Sequence, residues 1–223
     1  RYLISLAEGI DRSRYDLEMI LSDQAPERLR QALRDLDIPT ILVPPITGKT
    51  DLSGIMRHVA CFRARRPTIV HFNLSNPLHG QYAMIAARIA KVPFQVATLH
   101  LPPRSTTPTK RGRFFERQTL CNLNMLIAVC DSSRELVVKH FGLDPARTTA
   151  VHNGIDADDF DQEVSKLAPV SLKQGQEFII GTVGRLSLQK GFDVLLDAMP
   201  AVLAEFPNVR LAIAGEGPEE ENL

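Results

Sequence analysis

Two cations beside a glycine turn are the clearest chemistry in this sequence. Gly181 and Gly184 follow the start of a short apolar run, Phe178-Ile179-Ile180, and Arg185 and Lys190 follow the glycines. The apolar run is the mark of a buried strand. The glycines let the backbone turn sharply and approach a ligand with no Cβ in the way. From Phe192 the pattern becomes helical, with Phe192, Leu195, Leu196 and Met199 at spacings of three and four. Strand, glycine turn, cations and helix N-terminus together form an anion site. Backbone N–H groups and the helix dipole attract a phosphate, and Arg and Lys add charge-assisted bonds. The same residues also fit a plain strand-to-helix turn whose Arg185 and Lys190 are only solvated.

His100 is the second candidate. It follows the apolar stretch 94–99, and ligands of open α/β sheets bind at the C-terminal edge of the strands. The alternative is a surface loop histidine with ordinary partners. His71, His79 and His100 show no H-x-x-x-H spacing and no Cys/His cluster, so no metal is expected. His71 reads as a packing or edge residue at a strand end. Gly48-Lys49-Thr50 is not a P-loop, because the required upstream glycine is Val43 and Pro44-Pro45 remove backbone donors. Arg104, Lys110, Arg111, Arg113 and Arg117 surround Phe114 and Phe115. This basic stretch, 104–117, fits either contact with an anionic acceptor or membrane surface, or a solvated helix face with two core phenylalanines.

The elements that must position these residues alternate. Strands are expected over 15–22, 38–43, 67–72, 94–99, 125–129, 149–151, 178–183 and 209–214. Helices are expected around 2–10 and over 26–36, 52–65, 77–91, 109–123, 132–141 and 192–206, with Gly142 as a C-cap. That alternation argues for α/β architecture, a parallel sheet wrapped on both faces. Residues 161–176 carry charges, Pro169 and Gly175 with little periodicity, and read as a linker between a domain over 1–160 and one starting at 177.

The totals narrow the class. The chain has 223 residues and is 44% hydrophobic, enough for a sizeable core and for one to one and a half domains. Lys+Arg and Asp+Glu are 26 each, so no bulk charge draws it to nucleic acid. Cys61, Cys121 and Cys130 form no C-x-x-C pair and read as reduced, buried thiols of a cytosolic protein. No apolar run is long enough to span a bilayer. Position 1 is Arg, so the natural N-terminus is expected upstream.

Three motifs, VHNGID (151–156), GTVGRLSLQKG (181–191) and VRLAIAGEGPEE (209–220), occur in an order and spacing that resemble the retaining glycosyltransferases of family 4. VATLH (96–100) and IAVCDSSRELV (127–137) are similar to the same family's N-terminal domain. The resemblance implies the GT-B fold, two Rossmann-like parallel-sheet domains, here with the first strand missing and the second domain truncated. It implies a nucleoside-diphosphate sugar as donor, no cofactor or metal, and a lipid-linked, saccharide or other small acceptor. It places Gly184, Arg185 and Lys190 at the donor diphosphate, His100 against the donor sugar as the catalytic residue, and Gly215 and Gly217 near the nucleotide. Asn153-Gly154 reads as a tight turn, and the resemblance gives it an architectural role near the cleft. A nucleotide-sugar 2-epimerase of the same fold and a non-catalytic nucleotide-sugar-binding module are the rival readings. The epimerase lacks the G-R-L-x(3)-K-G pattern present here. The family's glycine-rich loop would precede Arg1, and its glutamate pair would follow Leu223.

Overall fold

A computed structural model describes residues 2–76, 80–101, 110–168, 172 and 175–223, and in it the chain forms two compact units, 1–155 and 156–223. The first unit runs α1 (Tyr2–Gly9), β1 (Met19–Ser22), α2 (Glu27–Asp35), β2 (Thr40–Val43), α3 (Leu52–Arg65) and β3 (Ile69–Leu74). It continues with α4 (Gln81–Ile89), β4 (Phe94–Leu99), α5 (Lys110–Cys121), β5 (Met125–Ala128), α6 (Asp131–Phe141) and β6 (Thr148–Ala150). All pairing in it is parallel, β1 with β2 and β3-β4-β5-β6 in a second sheet. Parallel neighbours need a crossover, which the intervening helices supply.

Burial explains why β4 reads as an almost unbroken apolar run. Gln95, Ala97, Thr98 and Leu99 are all buried, as befits a strand covered on both faces. One core cluster packs Val59 and Phe62 of α3, Phe72 and Leu74 of β3, Met84 and Ala87 of α4, and Val137 and Phe141 of α6 against Ala97, Leu99 and Leu126. A second cluster, Ala7, Met19, Leu21, Leu33 and Ile38, joins α1 and α2 to β1. The Arg65–Glu18 ion pair, 3.2 Å, ties the end of α3 to the approach to β1.

Local caps set the helix ends. The Asp51 carboxylate accepts the Gly54 N–H at 2.8 Å and the Thr47 N–H at 3.1 Å at the start of α3. These bonds and Ser53 hold its pKa down to about 2. Loop 47–51 therefore folds around a carboxylate of its own, in keeping with the rejection of a P-loop. Gly142, left-handed at φ 61°, ends α6.

The second unit holds α7 (Ala157–Ser165), β7 (Phe178–Val183), α8 (Phe192–Glu205) and β8 (Val209–Ala214), with β7 and β8 parallel. Helix α7 occupies the start of the stretch expected to be an irregular linker. Its acidic residues Asp158 and Asp161 lie in the N-terminal half, where the dipole favours them, and Lys166 pairs with Glu163 just beyond its end. Three other expectations change. His71 lies within β3 rather than at its end. The three cysteines are free but only half-buried. Phe114 is 59% exposed, so it is not a core residue. His79, Arg104 and most of the basic stretch fall outside the described residues or side chains.

Two features limit stability. Among the described residues β1 pairs only with β2, and β3 only with β4, so each leaves one edge of backbone donors and acceptors without a strand. Among the described residues of the second unit the buried apolar ones are Leu186, Phe192 and Met199, while Phe178 is 73% and Val183 86% exposed. A two-stranded sheet with so small a core is marginal. We expect the 223 residues, expressed alone, to associate and to unfold without one cooperative transition. Gel filtration with equilibrium urea unfolding checks this; a monomer with a single transition and a stability of about 5–15 kcal/mol would overturn it.

Candidate functional site

In the second unit two strand-end turns run against each other. The Gly184 N–H donates to the Ala214 carbonyl at 3.0 Å, Leu186 to Glu216 at 3.0 Å, and Glu219 back to Leu186 at 3.2 Å. The backbones are so close that a Cβ on Gly215 would lie 1.9 Å from the Gly184 carbonyl oxygen. One on Gly217 would lie 2.1 Å from that of Leu186. Both positions therefore require glycine for the close approach. At Gly184 a Cβ would meet the Phe192 ring at 3.3 Å. Leu186, 7% exposed, pins the loop from below.

That pinned loop presents the cations. Arg185 is exposed beside Gly184, and Lys190 is exposed at the end of a 3-10 turn over Leu188–Lys190. Gly191 at φ 65° then opens α8. Among the described residues neither cation is in an ion pair. Both lie near the N-terminus of a 14-residue helix, whose dipole favours an anion. Asp193 is the acidic residue in the first turn of α8 and competes for that field.

In the first unit His100 directly follows β4, and its N–H donates to the Leu74 carbonyl at 2.9 Å. The Tyr2 ring meets the imidazole edge-on, with centroids 4.6 Å apart and planes at 77°. The Tyr2 hydroxyl lies 3.1 Å from Thr98 Oγ1, and His71 Nε2 lies 2.8 Å from the same oxygen. Burial pushes the pKa of both histidines down, and the nearby His100 lowers that of His71 further. Both rings are therefore neutral at neutral pH. Sequence reasoning reached His100 and missed its neighbours. Thr98 and His71 share a sheet face, which the strand period could have shown once β3 and β4 were paired.

Asn153 and Gly154 lie in an exposed stretch that leaves β6 without turning, and a Cβ on Gly154 would meet nothing within 4 Å. The expected tight turn is absent: residues 151–156 carry no turn, and neither Asn153 nor Gly154 has a positive φ, while Val151 extends the β6 ladder by donating to the Ala128 carbonyl at 2.9 Å. The described residues include no group of three His, Cys, Asp or Glu side chains able to hold a metal ion. No described helix is long and apolar enough to cross a membrane.

Gly215→Ala should break the contact between the two turns and destabilise the second unit by about 1–3 kcal/mol, the usual cost of forcing atoms into a filled space. Amide hydrogen exchange at Leu186 is the measurement, and unchanged protection there would refute the assignment.

Comparison with known proteins follows the same two-part division. Residues 1–159 match the model described as Glycosyltransferase Family 4, and residues 164–223 match Glycosyl transferases group 1. The chain is 28% identical over 229 aligned positions to a phosphatidyl-myo-inositol mannosyltransferase of Mycobacterium tuberculosis, covering 99% of this chain and 57% of that protein. It is 32% identical over 106 residues to the phosphatidylinositol N-acetylglucosaminyltransferase gpi3 subunit of Schizosaccharomyces pombe, covering 47% of this chain and 22% of that protein. The chain thus spans less than two thirds of either relative. Among solved structures it resembles Anabaena Alr3699/HepE in complex with UDP, with TM-score 0.69, 17% identity, and 99% of this chain and 58% of that one covered. That likeness supports the fold, α/β of the GT-B type. With a family model matched along residues 1–159, the chain belongs to glycosyltransferase family 4.

Proposed function

We propose that this chain serves a glycosyltransferase that moves a sugar from a nucleoside-diphosphate sugar to an acceptor with retention of configuration. The observation that carries the proposal is the glycine-locked pair of turns that presents Arg185 and Lys190 at the N-terminus of α8. In this reading the diphosphate lies on that loop. Arg185 and Lys190 neutralise it and stabilise the leaving group as negative charge grows on it, an electrostatic role strongest in the transition state. Gly215 and Gly217 serve the nucleotide end by holding the turns together. His100, neutral, offers a hydrogen bond to a hydroxyl of the donor sugar and transfers no proton. In this reading the entering and leaving groups share one face of the sugar, as the family resemblance implies, and no nucleophile for a double displacement is assigned.

The names of the two relatives speak of phosphatidylinositol, which favours a lipid-linked acceptor over a free saccharide. A cytoplasmic enzyme that touches the inner face of the membrane, through the basic stretch 104–117, fits that acceptor. Two matched models that both describe glycosyl transferases favour transfer over the 2-epimerase reading. The 223 residues alone are inactive in this proposal.

In a protein of full family length that carries these residues, Arg185→Ala and Lys190→Ala should each lower turnover about tenfold or more. A charge-assisted hydrogen bond contributes about 1.5–3 kcal/mol, and about 1.4 kcal/mol is a factor of ten. Steady-state kinetics with circular dichroism as a folding control tests this; near-parental turnover in both variants sinks the diphosphate assignment. Turnover absent from the parent itself, with the diphosphate still bound, identifies the non-catalytic binding module instead.

His100→Ala should impair transfer more than nucleoside-diphosphate binding. Calorimetry with the diphosphate, set beside transfer rates, decides the matter. Lost diphosphate affinity with unchanged transfer per bound donor would place His100 elsewhere.

A further inference from the structure

The ring of His100 is held by groups distant in the chain. Its backbone is fixed by the Leu74 carbonyl, but His100 lies one residue past the end of β4, where the ladder no longer restrains the side chain. Among the described residues no hydrogen bond to its ring nitrogens is found. Its described ring contact is a T-shaped one with Tyr2, the centroids 4.6 Å apart. Tyr2 is the first residue of α1, and its hydroxyl reaches Thr98 across 96 positions of sequence.

Thr98 is 1% exposed and cannot satisfy its hydroxyl with water. That hydroxyl has one proton and two lone pairs. Tyr2 lies on one side of it at 3.1 Å and His71 Nε2 on the other at 2.8 Å. His71 and Thr98 are diagonal neighbours on one face, since Val96 is the register partner of His71. A neutral His71 lets the protons run in one row in either direction, from His71 through Thr98 to Tyr2 or the reverse. The row anchors the phenol, and the phenol ring restrains the imidazole.

From this geometry we infer that Tyr2, anchored by the Thr98–His71 pair, is a positioning residue that orients the His100 imidazole toward the ligand. The inference deepens the proposed function and rests on His100 meeting the donor. Phenylalanine at position 2 would keep the ring but lose the anchor. Leucine would lose both.

The test uses the protein of full family length, with carbon-13-labelled histidine and steady-state kinetics, in the variants Tyr2→Phe, Tyr2→Leu and Thr98→Ser. Tyr2→Leu should move the imidazole resonances of His100, because the ring current is lost, and lower kcat about tenfold with KM for the donor within about twofold. Tyr2→Phe should fall between Tyr2→Leu and the parent. Thr98→Ser keeps the hydroxyl, fits the buried site, and should stay within about twofold of the parent. Unmoved His100 resonances in Tyr2→Leu overturn the inference, whatever happens to turnover. So does a fall in kcat matched by a rise in KM without a resonance change, the mark of general loosening. Should His100→Ala retain parental turnover, the functional reading fails while the resonances still decide whether Tyr2 orients the ring.

Discussion

Parallel pairing is the constraint on which the rest of the molecule depends. Strands β3 to β6 all run the same way, as do β7 and β8, so every strand delivers its C-terminal residue to the same edge of its sheet. Each return must cross over a helix, and each helix N-terminus then begins near that edge. This is why His100 follows β4 directly, and why Arg185 and Lys190 sit between β7 and α8. The edge gathers backbone N–H groups and helix dipoles without any side chain having been chosen for them.

What the side chains add differs between the two units. In the second unit the specific device is an absence. Gly215 and Gly217 have no Cβ, and only so can two turns come close enough for Leu186 to donate to Glu216 and accept from Glu219. The rigidity gained there matters because Arg185 and Lys190 are long, exposed and rich in rotamers. A cation on a floating loop must be ordered when the anion arrives, whereas a cation on a locked loop has less to lose. In the first unit the device is a part-buried polar row, Tyr2, Thr98 and His71, of which Thr98 is fully buried. Such a row costs stability unless every member is satisfied, and each of these hydroxyls has a partner.

Much of this was legible in the residues. Strands 94–99, 178–183 and 209–214 and helix 52–65 follow from apolar runs bounded by Gly, Pro and a capping Asp, signals that act within a few residues. The strand-to-helix turn that carries Arg185 and Lys190 was legible for the same reason. The approach of Gly215 to Gly184 was not, since a glycine after a strand does not say which backbone will come near. Tyr2 was read only as one residue of a helical pattern, because its role depends on where α1 docks. Asn153-Gly154 misled in the opposite direction: the pair permits a turn without requiring one, and neither residue takes up the positive φ it tolerates. Helix α7 was missed because its charges mask its apolar residues, Phe160 and Val164, both still exposed.

The electrostatic contrast between the units bears on specificity. A cationic imidazole would attract any phosphate by charge alone. Burial keeps His100 neutral and leaves its ring a donor at one nitrogen and an acceptor at the other. Such a group distinguishes hydroxyl positions by geometry, since a hydroxyl can both give and take a hydrogen bond while a phosphate oxygen mostly takes. Arg185 has no such discrimination: its guanidinium only donates. If a phosphate is held by fixed charge and a sugar by a neutral ring, the first supplies affinity and the second supplies choice. A ring that chooses by geometry must itself be held still, and the T-shaped contact with Tyr2, 4.6 Å between centroids, is the restraint proposed for it.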